Sequence, residues 1–495
     1  MAEFNFSREN TLLVILFIIY LAISFIIGFS HPFLLDEGLY AQFSKAVAEN
    51  KLNEVVSSMG SSMGHPPLNI FINAFFIKLF GYSEFSMRIL VILSVIILFP
   101  ASYFLARQIG FSKIISGFFA FLLSLSFPIL KLAHFAMTDV PALLFMLLSF
   151  LFFLKYEKNK NYLLLGALFC IIGFFFKQYV IATSILIPYF FIKQRKFNWQ
   201  IIASCLIIAI PLFSWLLFNS HFYGSSKLVS SYIELQFNPL IMLKKFAWLL
   251  YILGFFTFPF LPFFISKKSF KYSWLLILLI PLAFISIEFL GSSANPGGYS
   301  IHGRIPLFYH ILPWKIYLAL CFIFFISLLL FISKLNFFRN KEIFLVLASF
   351  LIILSFSYKA SGGISIVDIR HTIFLLPFIL LLAFRFVKIN FYFFLMSAGI
   401  IIYSALWTLA LIATANSGYN ASMFINQNIS SAFYAMPPLL YTNNISVKNI
   451  SDAEYIVTGE GFSSYNLLEN CTIIKNFDSK LFGFTIAKRF ICKRQ

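Results

Sequence analysis

The stretch from Glu84 to Ala106 reads EFSMRILVILSVIILFPASYFLA. Its only charges, Glu84 and Arg88, sit together at its start. Everything after Arg88 is apolar or small. A bilayer-spanning α-helix needs about 20 mostly apolar residues. This run therefore predicts a spanning helix whose ionisable groups are held at one end.

The rest of the chain repeats that character. Of 495 residues, 60% are hydrophobic and 69 are Phe. Charged residues make up only 11%, against about 25% in a soluble domain. The mean hydropathy is +0.90. No soluble core hides that much apolar surface, so a water-soluble enzyme is excluded. Twelve further runs read as spans: Thr11–Ser30, Ile114–Leu132, Val140–Leu154, Tyr162–Phe176, Val180–Ile192, Trp199–Phe218, Phe246–Ile265, Tyr272–Leu290, Ile316–Ile332, Ile343–Tyr358, Thr372–Phe386 and Phe391–Ala413. The first has neither a long charged n-region nor a small-residue cleavage site, so it is read as a retained anchor.

Charge orients these spans. With the N-terminus cytoplasmic, the inner loops hold 17 basic residues and four acidic ones. The outer loops hold 13 and nine, and the tail after Ala413 holds seven and five. Short Lys/Arg-rich loops stay inside. The net charge of +19 is thus mostly a mark of topology, and no nucleic-acid partner is needed to explain it.

Three outer segments are longer than connectors. In His31–Ser83, the stretch Asp36–Asn50 puts Leu39, Phe43 and Val47 on one helical face, with Tyr40 beside them. Pro66–Phe80 is apolar but short for a span. Both predict helices lying along the outer membrane surface. The other two are Asn219–Lys245 and Gly291–Lys315, the latter opening on a Gly/Pro/Ser cluster. The tail turns polar. Ala453–Thr458, Thr472–Phe477 and Phe482–Phe490 read as strands and Ser463–Leu468 as a short helix. The expected architecture is an all-α polytopic membrane module over residues 1–413, with about thirteen transmembrane helices, outer juxtamembrane helices and a catalytic first outer loop at 31–83. A small extracytoplasmic α/β domain over residues 414–495 follows it. Cys471 and Cys492 in that domain are equally readable as a disulfide or as free thiols. Five N-x-S/T triplets there, such as that at Asn420, are expected by chance in an Asn- and Ser-rich tail.

The chemistry is expected at the outer helix ends. Asp36 and Glu37 follow the first span. Two adjacent carboxylates there are costly unless they face water, a partner or a substrate. A helix cap would account for Asp36 equally well, and would keep it ionised as a general base requires. Asp139 precedes Pro141 and also reads as an N-cap. His65 opens the second surface helix ahead of Pro66 and Pro67. Arg370, between Asp368 and His371, reads either as a loop ion pair or as an anion-binding guanidinium suited to phosphate. His302, Arg304 and Lys359 lie in nearby loops.

Four motifs, in order and on one side, resemble the C-type superfamily of multi-spanning glycosyltransferases. The branch is the one containing protein O-mannosyltransferases, the lipid A aminoarabinose transferase and Rgt-type sugar transferases. The motifs are Leu35-Asp36-Glu37-Gly38-Leu39-Tyr40; Gly64-His65-Pro66-Pro67-Leu68, running on to Gly81-Tyr82-Ser83-Glu84 and Arg88; Ala136-Met137-Thr138-Asp139; and Asp368-Ile369-Arg370-His371 with Leu376-Pro377. The resemblance spans roughly Thr11 to Ala413. It implies transfer of a sugar, mannose or a similar hexose, from dolichyl or another polyprenyl phosphate at the outer face, with inversion. Asp36 would be the base. Glu37 and Asp139 would orient the acceptor or shape the pocket's charge. Arg370, with His371, Lys359 and Arg304, would hold the lipid phosphate. His65 and Tyr40 complete the set on the acceptor-side loop.

No cofactor is implied, because a monophosphate leaving group held by Arg requires no metal. A divalent ion near Asp36 and Asp139 is the less favoured arrangement. The expected partners are the bilayer, the lipid-linked donor and a protein, glycan or lipid acceptor. The expected location is the cell membrane. Gly64 and His65 stand where the lipid A enzyme has an acid and a Lys, which argues against an aminoarabinose acceptor system. The large outer domain of full protein O-mannosyltransferases is missing between the spans. Three other readings compete. En bloc transfer of a glycan to Asn would call for an acidic metal set and a large recognition domain. A transporter would place its charges near the bilayer midplane. A non-catalytic scaffold would have no reason to order these motifs on one face.

Overall fold

The computed structural model describes residues 8–28, 37–51, 68–133, 135–194, 198–223, 246, 249–250, 252–264, 314–335, 341–356, 373–406, 408–409, and strand residues between 432 and 494. Fifteen helices are named here for the argument, in chain order. They are α1 (Arg8–Gly28), α2 (Glu37–Ala48), α3 (Leu68–Phe80), α4 (Glu84–Ile109), α5 (Lys113–Ser124), α6 (Phe127–Leu132), α7 (Asp139–Lys155), α8 (Tyr162–Phe176), α9 (Leu186–Gln194) and α10 (Trp199–Tyr223). Then come α11 (Ile252–Phe264), α12 (Trp314–Lys334), α13 (Lys341–Phe356), α14 (Leu376–Ala383) and α15 (Phe391–Leu406).

Among the described residues helix lies within the predicted apolar runs, but the run Thr372–Phe386 is helical only over Leu376–Ala383 and two others depart from a single α-helix. The run Ile114–Leu132 is not one helix. It breaks between α5 and α6, because Pro128 has no N–H to continue the ladder. Ser126 stands at the cap position of the restart without a side-chain cap bond; its hydroxyl donates back to the Leu123 carbonyl at 2.6 Å. The run Val180–Ile192 begins as a tighter 3₁₀ helix, Gln178–Ile185, before relaxing into α9. The expected span Tyr272–Leu290 lies outside the described residues. Among the described residues, Glu84–Ile109 and Trp199–Leu217 are the helices long and apolar enough to cross a bilayer unaided.

The opening stretch forms α4. Ser83 caps it, accepting from the Ser86 N–H, while Ser86 in turn accepts from the Ser83 N–H. This reciprocal box satisfies two donors that a helix start leaves open. Gly110 ends the helix at φ +102°, a left-handed conformation that suits Gly. The Tyr20 hydroxyl of α1 donates to the Val95 carbonyl of α4 at 2.7 Å. That bond ties the first two long helices together inside a Phe-rich core that runs on to α15.

A second, smaller core sits at the start of α4. Tyr40, Ala41 and Phe43 of α2 pack with Ile70 and Ile77 of α3, Met87 of α4 and Ala136. Val47 packs against this cluster as its spacing predicts; the Leu39 side chain lies outside the described residues. The C-terminal ends of α2 and α3 meet. Lys78 donates to the Asn50 side chain at 3.3 Å, and the Lys45 ammonium sits 5.2 Å from the Tyr82 ring centroid.

In the tail, β1 (Ala432–Tyr434), β2 (Tyr455–Gly459), β3 (Cys471–Leu481) and β4 (Phe484–Arg494) form a sheet of order β1-β2-β4-β3. Pairing is parallel for β1–β2 and antiparallel elsewhere. Cys471 lies opposite Arg494 and Cys492 opposite Ile473, so the two cysteines are not register partners. The helix expected at Ser463–Leu468 lies outside the described residues.

Candidate active site

Two buried ion pairs anchor these motifs. The first joins α2 to α4. Arg88 donates from Nε to Glu37 Oε1 at 3.1 Å and from Nη2 to Oε2 at 3.2 Å. The Ala136 backbone N–H donates to the same Oε1 at 2.6 Å. Glu37 is fully buried and Arg88 is 4% exposed. One carboxylate thus holds three segments: the start of α2, the first turns of α4, and the chain just before Asp139. A bidentate guanidinium fixes its partner's plane as well as its position.

The second pair lies three residues further on. Asp139 opens α7, and its Oδ1 accepts from Lys177. Both residues are 1% exposed. Asp139 was equally readable as an N-cap; instead Thr138 takes the cap position, without a side-chain bond, and Asp139 sits in the first turn facing Lys177. Asp139 Oδ2 is buried with no hydrogen-bond partner among the described residues. Lys177 follows α8 at the entrance to the 3₁₀ helix. Its ammonium is 5.9 Å from both the Tyr179 and Phe374 ring centroids, close enough for the ring faces to favour it. Phe374 stands just ahead of α14, three residues after His371 in sequence.

The structure brings together Glu37, Asp139 and the segment between Ala136 and Asp139. Asp36 lies outside the described residues, and so do His65, Arg304, Lys359, Arg370 and His371. Glu37 has both oxygens bonded, to Arg88 and to the Ala136 N–H. Tyr40 is 5% exposed and packed in the small core. Arg88 enters the sequence reading only as the last residue of a motif, without a role, and Lys177 is given no role there. Each stands at the edge of an apolar run, and that costly placement was the available signal. Among the described residues, no three His, Cys, Asp or Glu side chains come together as a metal-holding group.

Residues 64–218 match the family model described as dolichyl-phosphate-mannose-protein mannosyltransferase. No curated protein matches the chain. Among solved structures, the chain is similar to ArnT from Cupriavidus metallidurans, crystallised with undecaprenyl phosphate. Identity is 14%, the TM-score is 0.43, and the match covers 97% of this chain and 98% of that one. The family match spans Arg88, Asp139 and Lys177 together.

Proposed function

We propose that the chain is an inverting glycosyltransferase that moves a hexose, mannose or a close relative, from a polyprenyl phosphate to an acceptor at the outer face of the cell membrane. The observation that carries this reading is the Asp139–Lys177 pair. Burying two charges costs several kcal/mol per ion in general, and a chain keeps such a pair in an apolar body where function needs it. One oxygen of Asp139 takes the lysine; the other has no protein partner among the described residues and is available to a substrate hydroxyl. Asp36 directly precedes Glu37, which Arg88 and Ala136 hold in place.

The mechanism follows from the chemistry. An acceptor oxygen attacks the anomeric carbon as the bond to the lipid phosphate breaks. Asp36 takes the acceptor proton. Charge builds on the leaving phosphate, and cationic side chains stabilise it. Arg370 is the main phosphate ligand, aided by His371, Lys359 and Arg304. A monophosphate held this way requires no metal. Undecaprenyl phosphate is bound by the similar ArnT structure, and a lipid of that type is the donor carrier proposed here. The N-terminus is placed in the cytoplasm and the tail after residue 413 outside, as a separate small domain.

The test is a membrane assay with radiolabelled polyprenyl-phosphate sugars, followed by fractionation of the product into lipid and protein. Label leaving the donor in membranes with the wild-type chain, and not with Asp36→Asn, is expected. Equal transfer by both would sink the proposal.

A further inference from the structure

The helix α3 carries two buried asparagines with no visible purpose in the packing. Asn69 is 1% exposed and Asn73 fully buried. All four of their side-chain oxygen and nitrogen atoms lack a hydrogen-bond partner among the described residues. They are one helical turn apart, so they share a face about 5–6 Å from Cβ to Cβ. On α2, Ser44 has a buried hydroxyl in the same condition, one turn beyond Tyr40 on the helix face that enters the small core.

Leaving such groups unmatched is costly, about 1–3 kcal/mol for each. Apolar residues would pack this face without that cost. Three orphaned polar side chains in one small helix pair therefore point to a ligand that supplies hydrogen bonds. Asn69 stands in the first turn of α3, close in sequence to His65-Pro66-Pro67.

We infer that Asn69 and Asn73 form a subsite for the hydroxyls of a hexopyranose ring. Each carboxamide offers both a donor and an acceptor, the pattern that matches a sugar hydroxyl, which also does both. Two carboxamides one turn apart reach two ring hydroxyls. The inference rests on the glycosyltransferase reading and names residues that select the sugar. The ring is either the transferred sugar of the donor or a sugar of the acceptor.

The experiment uses the full chain purified in detergent. Asn69→Leu and Asn73→Leu remove unpartnered polar atoms at similar volume. The unfolding temperature is expected to stay level or rise, while KM for the donor rises about 10-fold per substitution, the scale of one lost hydrogen bond. A polyprenyl phosphate carrying a deoxyhexose provides the second arm. Wild type should prefer the full hexose, and the Leu variants should lose that preference. Asn69→Ser and Asn73→Ser give the same readout if a Leu variant is not recovered.

A third arm measures saturation-transfer NMR of a methyl hexopyranoside on wild type and Asn73→Leu. Changes in donor KM and deoxy discrimination assign the subsite to the donor sugar; a change confined to the methyl glycoside assigns it to the acceptor. Unchanged KM, discrimination and saturation transfer in the variants overturn the inference, and so does a fall in unfolding temperature with unchanged kinetics. If wild type transfers no sugar from any lipid donor, the glycosyltransferase reading fails by itself. The NMR arm then decides the subsite: a wild-type signal lost in Asn73→Leu supports it, and no signal overturns it.

Discussion

Arg88 and Glu37, 51 residues apart in sequence, meet in a buried two-pronged ion pair at 3.1 and 3.2 Å. The pair makes α2 and α4 one unit, and the Ala136 N–H adds the segment leading to Asp139. Removing the guanidinium strips a buried carboxylate of its bidentate partner. Arg88→Ala is expected to lower unfolding stability by about 3–5 kcal/mol. The double variant Arg88→Met/Glu37→Leu, apolar on both sides, should recover much of that stability. It should not recover sugar transfer, because Asp36 and Asp139 lose their shared anchor. Thermal unfolding and transfer assays on the three proteins check this; a double variant that is stable and fully active would refute the positioning role.

Lys177 and Asp139 make the complementary case, where charge alone is not enough. Lys177→Arg keeps the positive charge but replaces a compact ammonium with a wide planar fork. The site is too closed to accept the new shape unmoved. Transfer is expected to fall about 100-fold, the scale of a misplacement near 1 Å, while the protein still folds. Comparing kcat with unfolding temperature separates the two effects. Parallel losses of stability and activity would mean that the pair only holds the fold.

Much of this arrangement was legible in the sequence, and the limits have physical causes. The apolar runs located helix well, because a bilayer core demands long uninterrupted hydrophobicity. They could not show the break at Ser126, since Pro128 sits among residues as apolar as its neighbours. Nor could they show that the stretch from Gln178 winds as a 3₁₀ helix. At the site, Asp139 and Glu37 stood out as acids at helix ends. Lys177 did not, because one lysine between two apolar runs looks like an ordinary loop residue until its partner is known. Glu37 and Asp36 are adjacent and chemically alike, so nothing in the sequence shows which of them is tied down; burial and the Arg88 fork show that Glu37 is. Asn69 and Asn73 drew no notice in an apolar helix, and only their unmatched burial sets them apart.

Asp36 is the proposed base, and an amide in its place cannot accept a proton. Asp36→Asn keeps shape and most hydrogen bonding while removing that capacity. General-base catalysis contributes about 10²–10⁴-fold, so transfer should drop by at least that range. Insertion and unfolding temperature should stay at wild-type values, because α2 is pinned through Glu37 and not through Asp36. The measurement is transfer per unit of membrane-inserted protein. Wild-type transfer by Asp36→Asn would remove Asp36 from the mechanism and leave Asp139 as the acid to test next.

Arg370 tests the other half of the reaction, the leaving phosphate. A charged hydrogen bond contributes about 1.5–3 kcal/mol, which corresponds to roughly 10- to 150-fold in an equilibrium constant. Arg370→Ala should therefore raise KM for the polyprenyl-phosphate donor within that range. It should also slow the chemical step, since charge on the phosphate grows as the sugar leaves. KM for the acceptor should hardly move. Arg370→Lys keeps the charge but loses the two-pronged grip on phosphate oxygens, so it should fall between wild type and Ala. That graded order, read in donor KM at saturating acceptor, separates a phosphate ligand from a loop ion pair with Asp368. An ion pair would instead be mimicked by Asp368→Asn, with donor KM unaffected in both.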